Sequence, residues 1–364
     1  MSVRCPACGT MYANDSKFCT RDGTRLVSAP PANAAPGSFQ PAPAPNRGTQ
    51  SRATPEATRS PVPTHSNLVG AVLDGRYRIA KKVGEGGMSF VYLAEDVAGG
   101  ERYAIKVLSP SLSQDPNAMA RLRREAGLGI RLAHPNVCHI MRLGETEDGL
   151  VYVVMPFVEG EILADLTHKQ GHLPLSLVTT FVREMAGGLH VAHEMKIIHR
   201  DLKPENIMVC KRADGTEYAV VMDFGLAKER KAGSELEKLT ATGIILGTPE
   251  FMSPEQLRGK PLDPRTDVYS LALMTFEMLT GKLPFEGRTQ QEMMINRLRA
   301  EPIPLRKSRP ELNFPASVER VLLKGMERNV EDRFQTAPEF ASALAAAGSE
   351  ADADTGIIGR LFGR

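Results

Sequence analysis

The sequence predicts an α+β protein: a small β-rich lobe, then a larger helical lobe, with a short cysteine-bearing module ahead of both. Three observations predict it. Residues 77–108 alternate apolar and polar side chains around glycine-rich turns, residues beyond about 175 carry helical spacing, and three of the five cysteines fall within the first 19 positions. The change of period midway places a cleft between two lobes, and such clefts are common ligand sites.

With 364 residues the chain exceeds what one hydrophobic core usually organises. Apolar residues make up 42% and charged residues 24%, ordinary values for a globular protein. A formal charge of +2 gives no reason to expect a nucleic-acid partner. No apolar run reaches the roughly 18 residues of a transmembrane helix, and "MSVRCPACGT" lacks the apolar core of a secretory signal. A cytoplasmic protein is the expectation.

Residues 1–27, "CPACGTMYANDSKFCTRDG" included, place Cys5 and Cys8 in a knuckle and Cys19 three positions before Asp22. Gly9 and Gly23 follow the second and fourth of these, which makes Asp22 the natural fourth ligand of a zinc-ribbon-like module. Three thiolates and one carboxylate are an uncommon zinc set, so a metal-free degenerate ribbon and a redox-sensitive thiol cluster stay open. A module this short is expected to need metal to fold, and it resembles short zinc ribbons that serve as docking units for a partner or as sensing units. Residues 28–66 are dominated by Pro, Ala, Ser and Thr and predict a disordered linker, with a reach on the order of 120 Å if extended.

In the β-rich part, "YRIAKKVGEGGMSFVYLAEDVAGGERYAIKVL" predicts three antiparallel strands, "NAMARLRREAGLGIRLA" a helix, and "LVYVVMPFVEG" two more strands. Helices follow over 176–194, 266–280, 289–299, 317–327 and 336–347, and the stretch from 348 reads as a polar tether with a small apolar patch. Glycines at 84, 86 and 87 let a turn approach a phosphate through its N–H groups, although a glycine-rich hairpin with no ligand fits the run equally well. Lys106 lies on an apolar strand and needs an anionic partner. Glu125 is the sole glutamate between Lys106 and "HPN" at 134–136, so it is the expected partner, unless it only faces solvent from a charged helix.

"IIHRDLKPENIM" places Asp201, Lys203 and Asn206 just before a β-like run. After "IMVCKR", the turn "ADGT" predicts a hairpin that returns Asp223 of "DFG" beside Asn206. Two acids and an amide at a lobe junction supply hard oxygen ligands suited to Mg²⁺ with a nucleotide. Cys138 and Cys210 read as buried core thiols.

In these motifs, from about 67 to 347, the chain resembles a eukaryotic-like serine/threonine protein kinase of the bacterial type. The resemblance implies a bilobal kinase fold: N-lobe and hinge over 67–158, C-lobe over 159–347, and a flexible tail over 348–364. It implies transfer of the γ-phosphate of Mg-ATP to protein Ser/Thr hydroxyls. Gly84, Gly86, Ser89 (where a third glycine is common) and Val91 match the glycine-rich loop. Lys106 and Glu125 match the family's ion pair, Asp201 the base, Lys203 the γ-phosphate lysine, and Asn206 and Asp223 the metal ligands. Met155 resembles the residue behind the adenine pocket. Pro156 and Val158 match hinge positions offering a carbonyl and an N–H, and Val91, Ala104 and Met208 match residues sandwiching the base.

Glu255 of "SPE" matches the end of the activation segment and Arg333 its structural partner, while Ala272 stands where the family usually has glycine. Arg200 resembles the arginine that receives an activation-segment phosphate. Thr240 and Thr242 resemble autophosphorylation sites, modified in trans within a transient kinase dimer, and Thr248 a residue of the acceptor pocket. A kinase-like scaffold without activity and a small-molecule phosphotransferase are the competing readings. The retained catalytic set and the activation segment through "SPE" weigh against them.

Overall fold

The computed structural model describes residues 2–4, 11–13, 27–28, 68–86, 89–109, 116–224 and 249–362. Cys5, Cys8, Cys19, Asp22, nearly all of the predicted linker, Thr240, Thr242 and Thr248 lie outside the described residues. The chain divides into two units, Met1–Ser60 and Pro61–Arg364. In the first, β1 (Ser2–Arg4), β2 (Met11–Ala13) and β3 (Val27–Ser28) form an antiparallel sheet in the order β2-β1-β3.

The second unit opens with an antiparallel sheet of β4 (Val72–Leu73), β5 (Tyr77–Gly86), β6 (Ser89–Asp96), β7 (Arg102–Leu108), β8 (Arg142–Glu145) and β9 (Val151–Pro156). Its order is β4-β5-β6-β7-β9-β8. The period of two decides which side each residue serves. Tyr103, Ile105 and Val107 of β7 join Tyr77, Ile79, Tyr92 and Tyr152 in an outer cluster. Ala104 and Leu108 face the other way, into a cluster with Val153 and Met155 of β9 and Met119, Leu122 and Ala126 of α1 (Pro116–Gly129). Lys106, between them in sequence, therefore shares the face turned to the second lobe.

The two strands expected within 150–160 are a single one, β9; its edge partner β8 comes earlier. "RLGE" buries only Gly144 and carries no apolar alternation, so nothing in its composition announces a strand.

The second lobe contains β10 (Glu161–Ile162), α2 (Leu163–Gln170), α3 (Leu175–Glu194), β11 (Ile207–Lys211), β12 (Glu217–Val221), α4 (Pro254–Leu257), α5 (Arg265–Thr280), α6 (Gln290–Arg299), α7 (Leu305–Ser308), α8 (Ala316–Gly325) and α9 (Ala337–Phe362). α5 buries nearly every residue, as a helix apolar all round must, and forms the axis of the largest cluster with α3, α8 and α9. Ala272 on α5 is fully buried, and an added Cβ on Gly325 of α8 would lie 2.8 Å from its methyl. The alanine at a position where the family usually has glycine is thus accommodated by a glycine across the interface. α9 continues to Phe362, past position 347, where the flexible tail was expected. The alanines of "ALAAAGSEADAD" favour continuing the helix. Among the described residues no helix is long and apolar enough to cross a membrane.

Candidate active site

The expected hairpin forms between β11 and β12, pairing Ile207 with Val221 and Met208 with Val220. Its turn uses Gly215 at φ 82°, a left-handed conformation that glycine adopts without strain. The return leg places Met222 N–H on Asn206 O at 2.8 Å, which brings Asp223 beside Asn206. Asn206, in a single helical turn after Lys203, donates its side-chain amide to Asp201 O (2.8 Å) and Asp201 Oδ2 (3.0 Å). Lys203 Nζ lies 3.8 Å from the same Oδ2. Lys106 Nζ reaches across from β7 to Asp223 Oδ1 at 2.8 Å. Lys106 and Asp223 on one side and Asn206, Asp201 and Lys203 on the other are thus joined through the Met222–Asn206 backbone bond.

The backbone beneath these residues is held by Asp267, on the first turn of α5 and 0% exposed. Its carboxylate accepts the N–H groups of His199 (2.8 Å) and Arg200 (3.0 Å) and bonds His193 Nε2 (2.8 Å). Burial alone would push this acid's pKa up. The hydrogen bond from His193, with the electrostatic contacts of His193 and His199, outweighs it and holds the group below the usual carboxylate value. Arg200 and Asp223 both have left-handed backbones, at φ 64° and 54°, a conformation costly for residues with a Cβ unless the surroundings impose it. For Arg200 the surroundings are visible: Asp267 takes its N–H and Gln256 Nε2 donates to its carbonyl at 2.7 Å. His199 Nε2 bonds Met222 O (2.8 Å) and its ring meets Phe224 edge to face.

Lys106 makes an ion pair with Asp223, while Glu125 on α1, its expected partner, lies 3.9 Å from Arg200 Nη1. The side chains of both pairs keep some solvent exposure, 13% and 36% in the first and 29% and 31% in the second. Sequence spacing nominated Glu125 but carried no signal for Arg200, a cation it meets in the fold.

The apolar residues matched to a base-binding pocket do converge. Val91, Ala104, Met155, Val158 and Met208 belong to the single cluster between the sheet and the β11–β12 hairpin. Gly84 pairs with Val91 and Gly86 with Ser89 across β5 and β6, so the glycine-bearing strand end overhangs this cluster. Pro156 O lies 3.7 Å from Cys138 Sγ, and Val158 N–H has no acceptor among the described residues. Burial pushes the Cys138 thiol up to about 12, and both it and Cys210 are free and buried, as expected of core thiols.

The predicted structural pair is present too: Arg333 holds Glu255 with two 2.8 Å bonds, and Thr266 Oγ1 adds a third. Sequence reasoning singled out Asp267 within "DVYSLA" but passed over His193, Gln256 and Arg297. Gln256 had a legible signal, since Ser253 and Gln256 form a capping box, a recognisable S-x-x-Q pattern.

As a fit for magnesium, the set offers an amide oxygen and a carboxylate, since Asn206 directs its N–H groups to Asp201 and leaves Oδ1 as its acceptor face. One or two protein oxygens completed by phosphates are the usual magnesium arrangement.

Comparison with known proteins gives the same answer as this geometry. Residues 77–343 match the family model for the protein kinase domain. The serine/threonine-protein kinase pkn2 of Myxococcus xanthus is 40% identical over 290 residues, covering 79% of this chain and 34% of the relative. The serine/threonine-protein kinase PknB of Mycobacterium tuberculosis is 37% identical over 275 residues, covering 75% and 43%. The chain spans about a third to a half of the length of such curated relatives. The crystal structure of the Mycobacterium tuberculosis PknI kinase domain is 27% identical, with a TM-score of 0.59 over 76% of this chain and 98% of that one. The chain belongs to the protein kinase family, and the bacterial serine/threonine kinases are among the members it resembles.

Proposed function

We propose that this chain transfers the γ-phosphoryl group of Mg-ATP to serine and threonine hydroxyls of protein substrates. The observation that carries the reading is the joining of Lys106 and Asp223, through the Met222–Asn206 backbone bond, to Asn206, Asp201 and Lys203. Asp201 orients the acceptor hydroxyl and takes its proton as the new P–O bond forms and the bond to the departing ADP oxygen breaks. Lys203 sits where its ammonium offsets charge on the transferred group. Lys106, with Glu125 as the partner it would take in place of Asp223, orients the α- and β-phosphates. Asn206 and Asp223 would hold magnesium, which would neutralise phosphate charge during transfer. Gly84, Gly86 and Ser89 cover the phosphates; Val91, Ala104, Met155 and Met208 enclose the base; Val158 donates its N–H.

Activation belongs to the same proposal. Thr240 and Thr242 are modified in trans, in a transient dimer, and Arg200 receives the phosphate; its Nε has no partner among the described residues. The N-terminal set Cys5, Cys8, Cys19 and Asp22 binds zinc in a docking module for a partner; Cys5 and Cys8 fall between β1 and β2 in sequence. A cytoplasmic location fits the two free buried thiols.

Incubation with labelled ATP and an acceptor protein, with Asp201→Asn as the control, tests the catalytic reading. Transfer by the wild type alone is expected, and equal labelling by both would overturn it. Thr240→Ala/Thr242→Ala is expected to slow autoactivated turnover, and unchanged turnover would remove that step. Metal analysis of the full chain is expected to find zinc that is lost in Cys19→Ser.

A further inference from the structure

Arg297 on α6 is 0% exposed, on a helix that otherwise reads as polar, "QQEMMINRLR". It is not needed to close the apolar contact. Met294 and Leu298 of α6 already do that against Met252 and Leu257. Its guanidinium lies 5.7 Å over the Phe285 ring, but no carboxylate is within ion-pair distance among the described residues, and burying a charge without a counterion is unfavourable. Burial lowers its pKa, although Tyr269 and Glu250 pull the other way. A position this demanding calls for a reason beyond packing.

Its contacts supply one. A single nitrogen, Nη1, donates to two carbonyls, Pro249 O at 2.6 Å and Met252 O at 3.1 Å, while Nε and Nη2 find no acceptor among the described residues. Both carbonyls belong to the turn that follows Thr248 and enters the Ser253–Gln256 capping box. Between them, Phe251 O accepts from Ser270 Oγ at 2.8 Å. Gln256 then donates to Arg200 O, one residue from Asp201. The turn is thus pinned to α6 at one end and tied to the catalytic loop at the other.

We infer that Arg297 is a positioning residue for the acceptor polypeptide: by pinning residues 249–252 it fixes the backbone strip beside Asp201 against which the acceptor lies. This rests on the kinase reading above. Because one nitrogen makes both bonds, a lysine ammonium can replace it, whereas a methionine of similar volume cannot. The distinction sets the test.

Wild type, Arg297→Lys and Arg297→Met are compared with dephosphorylated casein as a generic acceptor, and KM for casein, KM for ATP, kcat and thermal midpoint are measured. The expected result is a roughly tenfold or larger rise in casein KM for Arg297→Met, the scale of two lost charge-assisted bonds, with ATP KM unchanged and casein KM largely restored in Arg297→Lys. A casein KM that is flat across the three proteins would overturn the inference, even if Arg297→Met lowered the thermal midpoint or kcat. Equal impairment by both substitutions would overturn it too, since it would place the effect in guanidinium packing. Absence of transfer by the wild type would sink the kinase reading, and this inference with it.

Discussion

Two sets of ion pairs in the larger unit contrast sharply. Beneath the catalytic loop, Arg333 and Glu255 lie at 0% and 8% exposure, joined by two 2.8 Å bonds, with the guanidinium also donating to the carbonyls of Arg265, Glu327 and Arg328. At the cleft, Lys106–Asp223 and Glu125–Arg200 are partly exposed, and the second is held at only 3.9 Å. The first kind cannot exchange partners, because separating its charges would strand both in a low-dielectric interior. The second kind can, because water screens the intermediate arrangements. The difference teaches where this fold is permitted to change: support for Asp201 comes from pairs that are locked, and the residues proposed to hold the phosphates and metal come from pairs that are not.

The largest expected effect lies where the two sets meet, at an acid whose backbone is fixed and whose carboxylate is the proposed base. Asp201→Asn should lower phosphate transfer by on the order of 10²–10⁴-fold, the range for loss of a general base, while nucleotide binding persists. Labelled-phosphate transfer and nucleotide titration check the two halves. Next comes the locked pair. Arg333→Met should reduce stability by about 3–5 kcal/mol by leaving Glu255 buried and unpaired, read as a shift in the denaturant midpoint. A change under about 1 kcal/mol would place that pair with the exchangeable set. For the cleft, Glu125→Gln should lower kcat roughly 10–100-fold with little change in thermal midpoint, if it exchanges Arg200 for Lys106 during turnover. Equal losses in stability and kcat would show the pair to be structural.

The smallest effect concerns Glu277 on α5, which burial, then the nearby acids Glu205 and Glu250, raise to about 7. Its folded pKa exceeds its unfolded value, so the native state binds the extra proton. Stability from this group is present below about pH 4.5 and is lost as pH rises through about 7. Glu277→Gln should therefore raise the thermal midpoint by a few degrees at pH 8, with the gain vanishing as pH falls toward 5.

Much of this was legible in the sequence because it is local. The Asp-Gly hairpin, the strand alternation around Lys106 and the helical spacing of α3, α5, α6, α8 and the start of α9 each follow from short-range rules. Cleft convergence followed from the hairpin alone, because returning the chain to its starting end places Asp223 beside Asn206. What was not legible depends on three-dimensional competition. The spacing that nominated Glu125 for Lys106 contains no information about Arg200, which arrives from a loop far along the chain and lies 3.9 Å from the carboxylate. Arg297 looks like a solvated residue on a polar helix, and only the fold reveals that it faces inward toward two carbonyls. β8 is strand-like because of its neighbour β9, not its own composition.

Magnesium dependence of nucleotide affinity tests the central claim most directly, namely that Asp223 exchanges the Lys106 ammonium for a metal-bound nucleotide. Binding of a non-hydrolysable ATP analogue would be titrated with and without Mg²⁺ in the wild type and in Asp223→Asn. The account predicts that magnesium tightens binding to the wild type roughly tenfold or more and leaves the variant nearly unmoved. The same tightening in both proteins would contradict it.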